Sequence, residues 1–175
     1  MGIVLTLGYG SLSQSDLIAG LNRHGVRLVV DVRSYPDSGR SVMRRRELLP
    51  ALKDAGIGYF SVPQLGGYDP RVKDGDYPAL RQLPEFQHAI ERLVEVARKD
   101  GTICLLCAES DPKRCHRKWA IQPELEQRGV EVKHLVQGKR GGRRPSAPPQ
   151  HTVQYLADRV VAVMRQATEK ALSPA

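Results

Sequence analysis

Short apolar runs alternate with amphipathic stretches along this chain, and that alternation constrains its fold more than any other feature. Ile3 to Leu7, Arg27 to Val32, Ile57 to Val62, Thr102 to Leu106 and Val130 to Val136 read as strands. The second and fourth are almost continuously apolar, as expected of strands buried on both faces. Between them, Leu17, Ile18 and Leu21 recur at helical spacing after a cluster of N-cap residues, Ser11 to Asp16. A second helix is expected over about 42–53, and a third from Pro84 to Lys99 with Phe86, Ile90, Leu93 and Val94 on one face. His116 to Arg128 reads as a fourth, which Pro123 should kink or split. Strand and helix in alternation predict an α/β domain: a mostly parallel sheet of about five strands, with helices on both faces.

The stretch 68–84, rich in Gly, Pro and Asp, shows no period and reads as one long loop, a length that is often functional. The domain is expected to occupy 1–136. Beyond it, 137–151 carries Lys139, Arg140, Arg143 and Arg144 among Gly, Pro and Ser and reads as a flexible basic linker. The span 152–172 regains helical periodicity through Val153, Leu156, Val160, Val163 and Ala167, a C-terminal stripe that needs a partner, a second copy included.

Charge bounds the partners. The 175 residues carry a formal net charge of +8, which favours an anionic ligand, phosphate-containing or nucleic acid. Aromatic residues make up 5%, too few for a dense base-stacking platform. No apolar run is long enough to cross a membrane, and the amino terminus lacks the pattern of a secretion signal, so no membrane partner and a cytoplasmic location are expected. Three cysteines are too sparse for a disulfide framework, which fits a reducing compartment.

Chemistry concentrates between Cys107 and Arg117. In an open parallel sheet, ligands bind beyond the carboxyl ends of strands, and this segment runs from a strand end to a helix start. A thiol at Cys115 or Cys107, beside Arg114, His116 and Arg117, has the ingredients of an activated thiolate. Glu109 is a candidate general base or an arginine partner. Cys104 and Cys107 have redox-motif spacing, but residues three apart in a strand face opposite ways, so Cys104 reads as core. Cys107, Cys115 and His116 could take zinc with Glu109 or Asp111, and His134 only if the fold brings it close. Their spacing matches no common finger, and no metal or other cofactor is assigned from sequence. The segment has no glycine and is not a P-loop. Tyr9, Asp31, Arg33, Gly66 and Gly67 should share the same rim as substrate-binding positions, Asp31 with Arg33 reading equally as a structural ion pair.

These motifs carry a resemblance. Leu7-Gly8-Tyr9-Gly10, Val30-Asp31-Val32-Arg33-Ser34-Tyr35-Pro36, Leu65-Gly66-Gly67, and Cys107-Ala108-Glu109 followed by Pro112 and Cys115-His116-Arg117 resemble the domain-of-unknown-function 488 family, in order from about residue 3 to 136. The resemblance implies a shared site built from Asp31, Arg33, Cys107, Glu109, Cys115, His116 and Arg117. It implies no activity. Pro123, and Val42-Met43 where relatives tend to have phenylalanine, depart from the family pattern. Two function classes remain open. One is an enzyme acting on a phosphorylated small molecule, nucleotide or nucleic acid, with Cys107, Glu109, Cys115 and His116 catalytic and Arg33 and Arg117 clamping the anion. The other is a non-catalytic module that binds nucleic acid or scaffolds a partner.

Overall fold

A computed structural model describes residues 2–99 and 102–135, and in it the five apolar runs are five strands of one sheet. They are β1 (Gly2–Gly8), β2 (Val26–Asp31), β3 (Gly58–Ser61), β4 (Thr102–Cys107) and β5 (Val130–Leu135). Every pairing is parallel and the order is β3-β2-β4-β1-β5. The expected α/β architecture is therefore present, with a sheet that is wholly parallel. The basic linker and final helix expected over 137–172 lie outside the described residues.

The pleat sorts the core into two layers. Val4, Leu28, Val30, Ile103 and Leu105 pack under α4 (Pro84–Lys99) and α5 (Gln122–Gln127). Leu5, Leu7, Val29, Cys104 and Leu106 pack under α1 (Gln14–Arg23) and α2 (Arg45–Asp54). Alternate residues of each strand serve opposite layers. Cys104 belongs to the second layer and is fully buried, which separates it from Cys107 as the period of two requires. Each Phe, Leu or Ile that α4 buries contributes about 1.5–3 kcal/mol, so this helix anchors its face of the sheet.

Local signals explain most boundaries. The Ser13 hydroxyl caps α1 by accepting the Asp16 N–H at 3.1 Å. Gly25, at φ +64, supplies the left-handed turn that ends the α1 connection. The helix expected over 42–53 is a single 3₁₀ turn, Ser41–Met43, followed by α2, because Arg44 is extended.

One expectation needs amendment and one is met. The presumed loop 68–84 contains α3 (Tyr77–Arg81), capped by the Asp76 carboxylate accepting the Ala79 N–H at 3.0 Å. The helix expected from His116 is split: Arg117–Ile121 forms a π-type turn before α5 begins, and Pro123 falls in the first turn of α5, where its missing N–H costs nothing. Among the described residues no helix is long and apolar enough to cross a membrane.

This topology places the Cys107–Arg117 segment centrally. β4 is the middle strand, and its last residue, Cys107, pairs in register with Gly8 of β1 while Leu106 pairs with Asp31 of β2. Three strand ends thus meet where a parallel sheet accepts ligands.

Candidate functional site

Beyond Cys107 the chain folds back on itself through two side-chain caps. The Glu109 carboxylate accepts the Asp111 N–H, and the Asp111 carboxylate accepts the Lys113 N–H, each at 2.9 Å. A 3₁₀ turn at Pro112–Arg114 follows, and Trp119 Nε1 donates to the Lys113 carbonyl at 2.7 Å. These bonds return Cys115 to Cys107. The loop also nests against β1. A Cβ on Gly8 would lie 2.6 Å from the Glu109 carbonyl carbon and 2.7 Å from an Arg117 Nη, so only glycine admits this approach.

The outcome is a buried cluster of two thiols, an imidazole and a guanidinium. The sulfurs of Cys107 and Cys115 are 3.5 Å apart, and His116 Nδ1 lies 3.6 Å from Cys115 Sγ. Arg117 Nε donates to the same sulfur at 3.1 Å. Cys115 is 2% exposed and Arg117 1%. His116 Nε2 sits 3.1 Å from the Val32 carbonyl, which can only accept, so Nε2 carries the proton and Nδ1 is the nitrogen that exchanges one with Cys115.

Arg117 is held from below. It donates to Thr6 Oγ1 at 3.3 Å and to the Glu109 carbonyl oxygen. Thr6 in turn lies 2.7 Å from His134 Nδ1, and His134 Nε2 lies 2.8 Å from Gln122 Oε1. His134 therefore braces the arginine rather than joining the thiols. Burial, with Arg117 and Lys118 nearby, lowers its pKa.

Electrostatics single out one sulfur. The hydrogen bond to Cys107 is the largest cause lowering the Cys115 pKa, and His116 and Arg117 add to it against the cost of burial. The same bond, with burial, raises Cys107. Cys115, the sulfur that both Arg117 and His116 reach, is therefore the one favoured as thiolate.

The remaining sequence candidates separate. The Arg33 guanidinium, expected as an anion clamp, donates to both Asp31 oxygens and to the Met43 carbonyl and stacks 5.5 Å from the Tyr9 ring. Burial opposes its charge, but Asp31 more than offsets that and its pKa is raised. The Tyr59 hydroxyl completes this network by donating to Asp31 at 2.6 Å, and burial followed by the Asp31 charge raises its pKa. Asp31, Arg33 and Tyr9 accordingly form a buried structural unit beside the cluster. Arg117 likewise points inward, at the thiolate. Among the described residues the Glu109 carboxylate pairs with no arginine; it caps its own turn, while its carbonyl is what Arg117 holds. Gly66 backs onto Ser34, where a Cβ would stand 2.7 Å from Ser34 Cα. Gly67 faces the cluster, because its Cβ would stand 2.8 Å from His116 Nδ1. Within the Arg44–Arg46 run, Arg45 pairs with Asp37 and Arg46 with Glu47, each at 3.3 Å.

A shallow surface cleft lies beside Gly67, lined by Tyr68, Lys73, Asp76, Tyr77 and Leu80. Tyr77 feels both thiols: burial first, then the Cys115 charge, raises its pKa. Tyr77, Thr6 and the Val32 carbonyl are participants that sequence reasoning missed. Thr6 had a readable signal, as the lone polar residue in an otherwise apolar strand.

The family model described as domain of unknown function DUF488 matches residues 14–122. No curated protein matches the chain. Among solved structures, a de novo designed protein with a P-loop NTPase fold, determined by solution NMR, is 14% identical over 96% of this chain and 94% of its own, with a TM-score of 0.39. That likeness is too slight to carry an argument.

Proposed function

The chain belongs to the DUF488 family, and from that premise we propose that it is an enzyme whose Cys115 thiolate attacks an electrophilic centre of an anionic substrate, in the class of phosphorylated small molecules, nucleotides or nucleic acid. One observation carries this reading: Arg117 Nε, Cys107 Sγ and His116 Nδ1 converge on a single sulfur at 3.1, 3.5 and 3.6 Å, at the carboxyl end of the central strand. A thiolate is the nucleophilic form of cysteine, and nearby cations and donors stabilise it.

The roles follow from the contacts. Arg117 neutralises the thiolate and, through Thr6 and Glu109, fixes its position. His116 Nδ1 takes the proton from Cys115 and delivers it to the leaving group. The Cys107 thiol hydrogen-bonds Cys115; water, losing its proton to His116, then displaces Cys115 from the adduct, and that sulfur leaves as the thiolate again. Substrate approaches from the cleft by Gly67 and Tyr77, where the 69–76 loop is tied by exposed pairs of Arg71 with Asp69 and Glu85. Such exposed pairs hold weakly and yield to a ligand. The anionic class rests on the net charge of +8.

Alkylation of the chelator-stripped protein by iodoacetamide at neutral pH, read peptide by peptide, tests the reading. Cys115 should be modified ahead of Cys107 and Cys104, and Arg117→Met should slow it at least tenfold. An inert Cys115 in the stripped, folded chain would overturn the proposal.

A further inference from the structure

The same cluster has a second capacity that the thiolate reading does not use. Cys107 Sγ, Cys115 Sγ and His116 Nδ1 all lie within 4.8 Å of one another, and all three residues are buried. Tetrahedral zinc, with Zn–S about 2.3 Å and Zn–N about 2.0–2.1 Å, requires sulfurs about 3.8 Å apart and sulfur and nitrogen about 3.5 Å apart. The observed separations are 3.5 Å and 3.6 Å. These two edges match within a few tenths of an ångström, and the third, Cys107 Sγ to His116 Nδ1, lies within 4.8 Å and closes as the imidazole draws inward.

Each donor is already oriented as a ligand would be. His116 directs its Nε2–H at the Val32 carbonyl, leaving the Nδ1 lone pair turned inward. Cys115 receives the Arg117 Nε–H, and Cys107 receives the backbone N–H of Glu109. Outer partners of this kind fix tautomer and direction at metal centres. Space is provided as well: with any side chain at 67, a Cβ would stand 2.8 Å from Nδ1. The neighbouring candidates are otherwise engaged. His134 is held by Thr6 and Gln122, the Glu109 carboxylate by its own turn, and Cys104 lies in the opposite core layer. Three protein donors are the number found at reactive zinc sites, where solvent or substrate fills the fourth position.

We propose that Cys107, Cys115 and His116 bind one thiophilic divalent cation of the zinc class, with a fourth coordination position facing Gly67 and the adjacent cleft. Two sulfurs and one imidazole select a soft or borderline metal over magnesium or calcium. Two thiolates balance the dication, and Arg117 offsets the field around them. The loaded chain holds Cys115 as a ligand and the stripped chain holds it as a nucleophile, so the two proposals describe two states of one site and fail separately.

Titration of the full, chelator-stripped chain with Co²⁺ is the test. One Co²⁺ per chain should bind, with sulfur-to-metal charge-transfer absorption and the intense visible bands of tetrahedral cobalt, and Zn²⁺ should displace it. Cys115→Ser and His116→Gln should each weaken binding at least about 100-fold, beyond the range for an outer-shell change, while Cys104→Ser should bind as the parent does. Absence of the charge-transfer band in the parent chain overturns the site, whatever the variants do, and so does equal loss in Cys104→Ser. Selective Cys115 alkylation in a chain that binds no Co²⁺ would remove the metal and keep the nucleophile. Stoichiometric Co²⁺ with an inert stripped Cys115 would do the reverse.

Discussion

Substituting alanine at two glycines should move stability in opposite directions. At Gly8 the new Cβ would lie 2.6 Å from the Glu109 carbonyl carbon, against an ordinary carbon–carbon contact of about 3.5 Å. The obstacle is backbone, with the Glu109 carbonyl oxygen nearer still, so the 108–111 turn must retreat by more than about 1 Å. Overpacking of this kind costs about 1–3 kcal/mol, and the retreat breaks the charged hydrogen bond from Arg117 to Glu109, a further 1.5–3 kcal/mol or so. A loss of about 2.5–6 kcal/mol is large against a total stability of about 5–15 kcal/mol. Gly20 lies inside α1 with nothing within 4 Å of its Cβ position, so alanine there should stabilise by about 0.5–1 kcal/mol. Urea unfolding followed by far-ultraviolet circular dichroism measures both, and Cys115 alkylation should slow in Gly8→Ala alone. A Gly8→Ala variant within about 1 kcal/mol of the parent would refute the close packing of strand end and loop.

Other consequences are testable on the same material. Asp31→Asn leaves Arg33 buried beside a neutral group and should cost about 3–5 kcal/mol in urea unfolding. Burial pushes the Cys104 thiol up to about 12, so at pH 8 it should resist alkylation in the folded chain and react fully in urea, as peptide mass spectrometry would show. Gly67→Ala crowds His116 Nδ1 and should cost about 1–3 kcal/mol of stability while weakening Co²⁺ binding at least tenfold, read by the charge-transfer band.

The strands of the core were legible because β2 and β4 are apolar runs that only a sheet covered on both faces accommodates. Their order was not. Nothing local in Thr102–Cys107 says that it inserts between β1 and β2, and only that insertion sets Gly8 beside Cys107 and Thr6 under Arg117. The α3 helix escaped because five residues are too few to show a period, although Asp76 before Tyr77-Pro78 is an N-cap signal with proline early in the first turn. Arg33 and Arg117 both turn inward, Arg33 to Asp31 as its ion-pair reading allowed and Arg117 to Cys115. Sequence gives the charge of such a side chain, whereas its direction depends on partners from distant segments, Met43 for one and Thr6 for the other. Cys107, Cys115 and His116 were found as candidates because their residue types are rare and clustered. Their convergence depends on the caps at Glu109 and Asp111.

The strand order also bears on how the chain is made. β1 is synthesised first, yet one of its two neighbours, β4, ends 99 residues after Gly8, and the other, β5, follows later still. At about 5–20 residues per second, a ribosome leaves both edges of that apolar strand unpaired for about 5–20 s. β2, α2 and β3 can close on one another meanwhile, since they are adjacent in both sequence and sheet. The nascent chain therefore carries an exposed, aggregation-prone edge at β1, and the thiol cluster is assembled only when Cys107 emerges and docks beside Gly8.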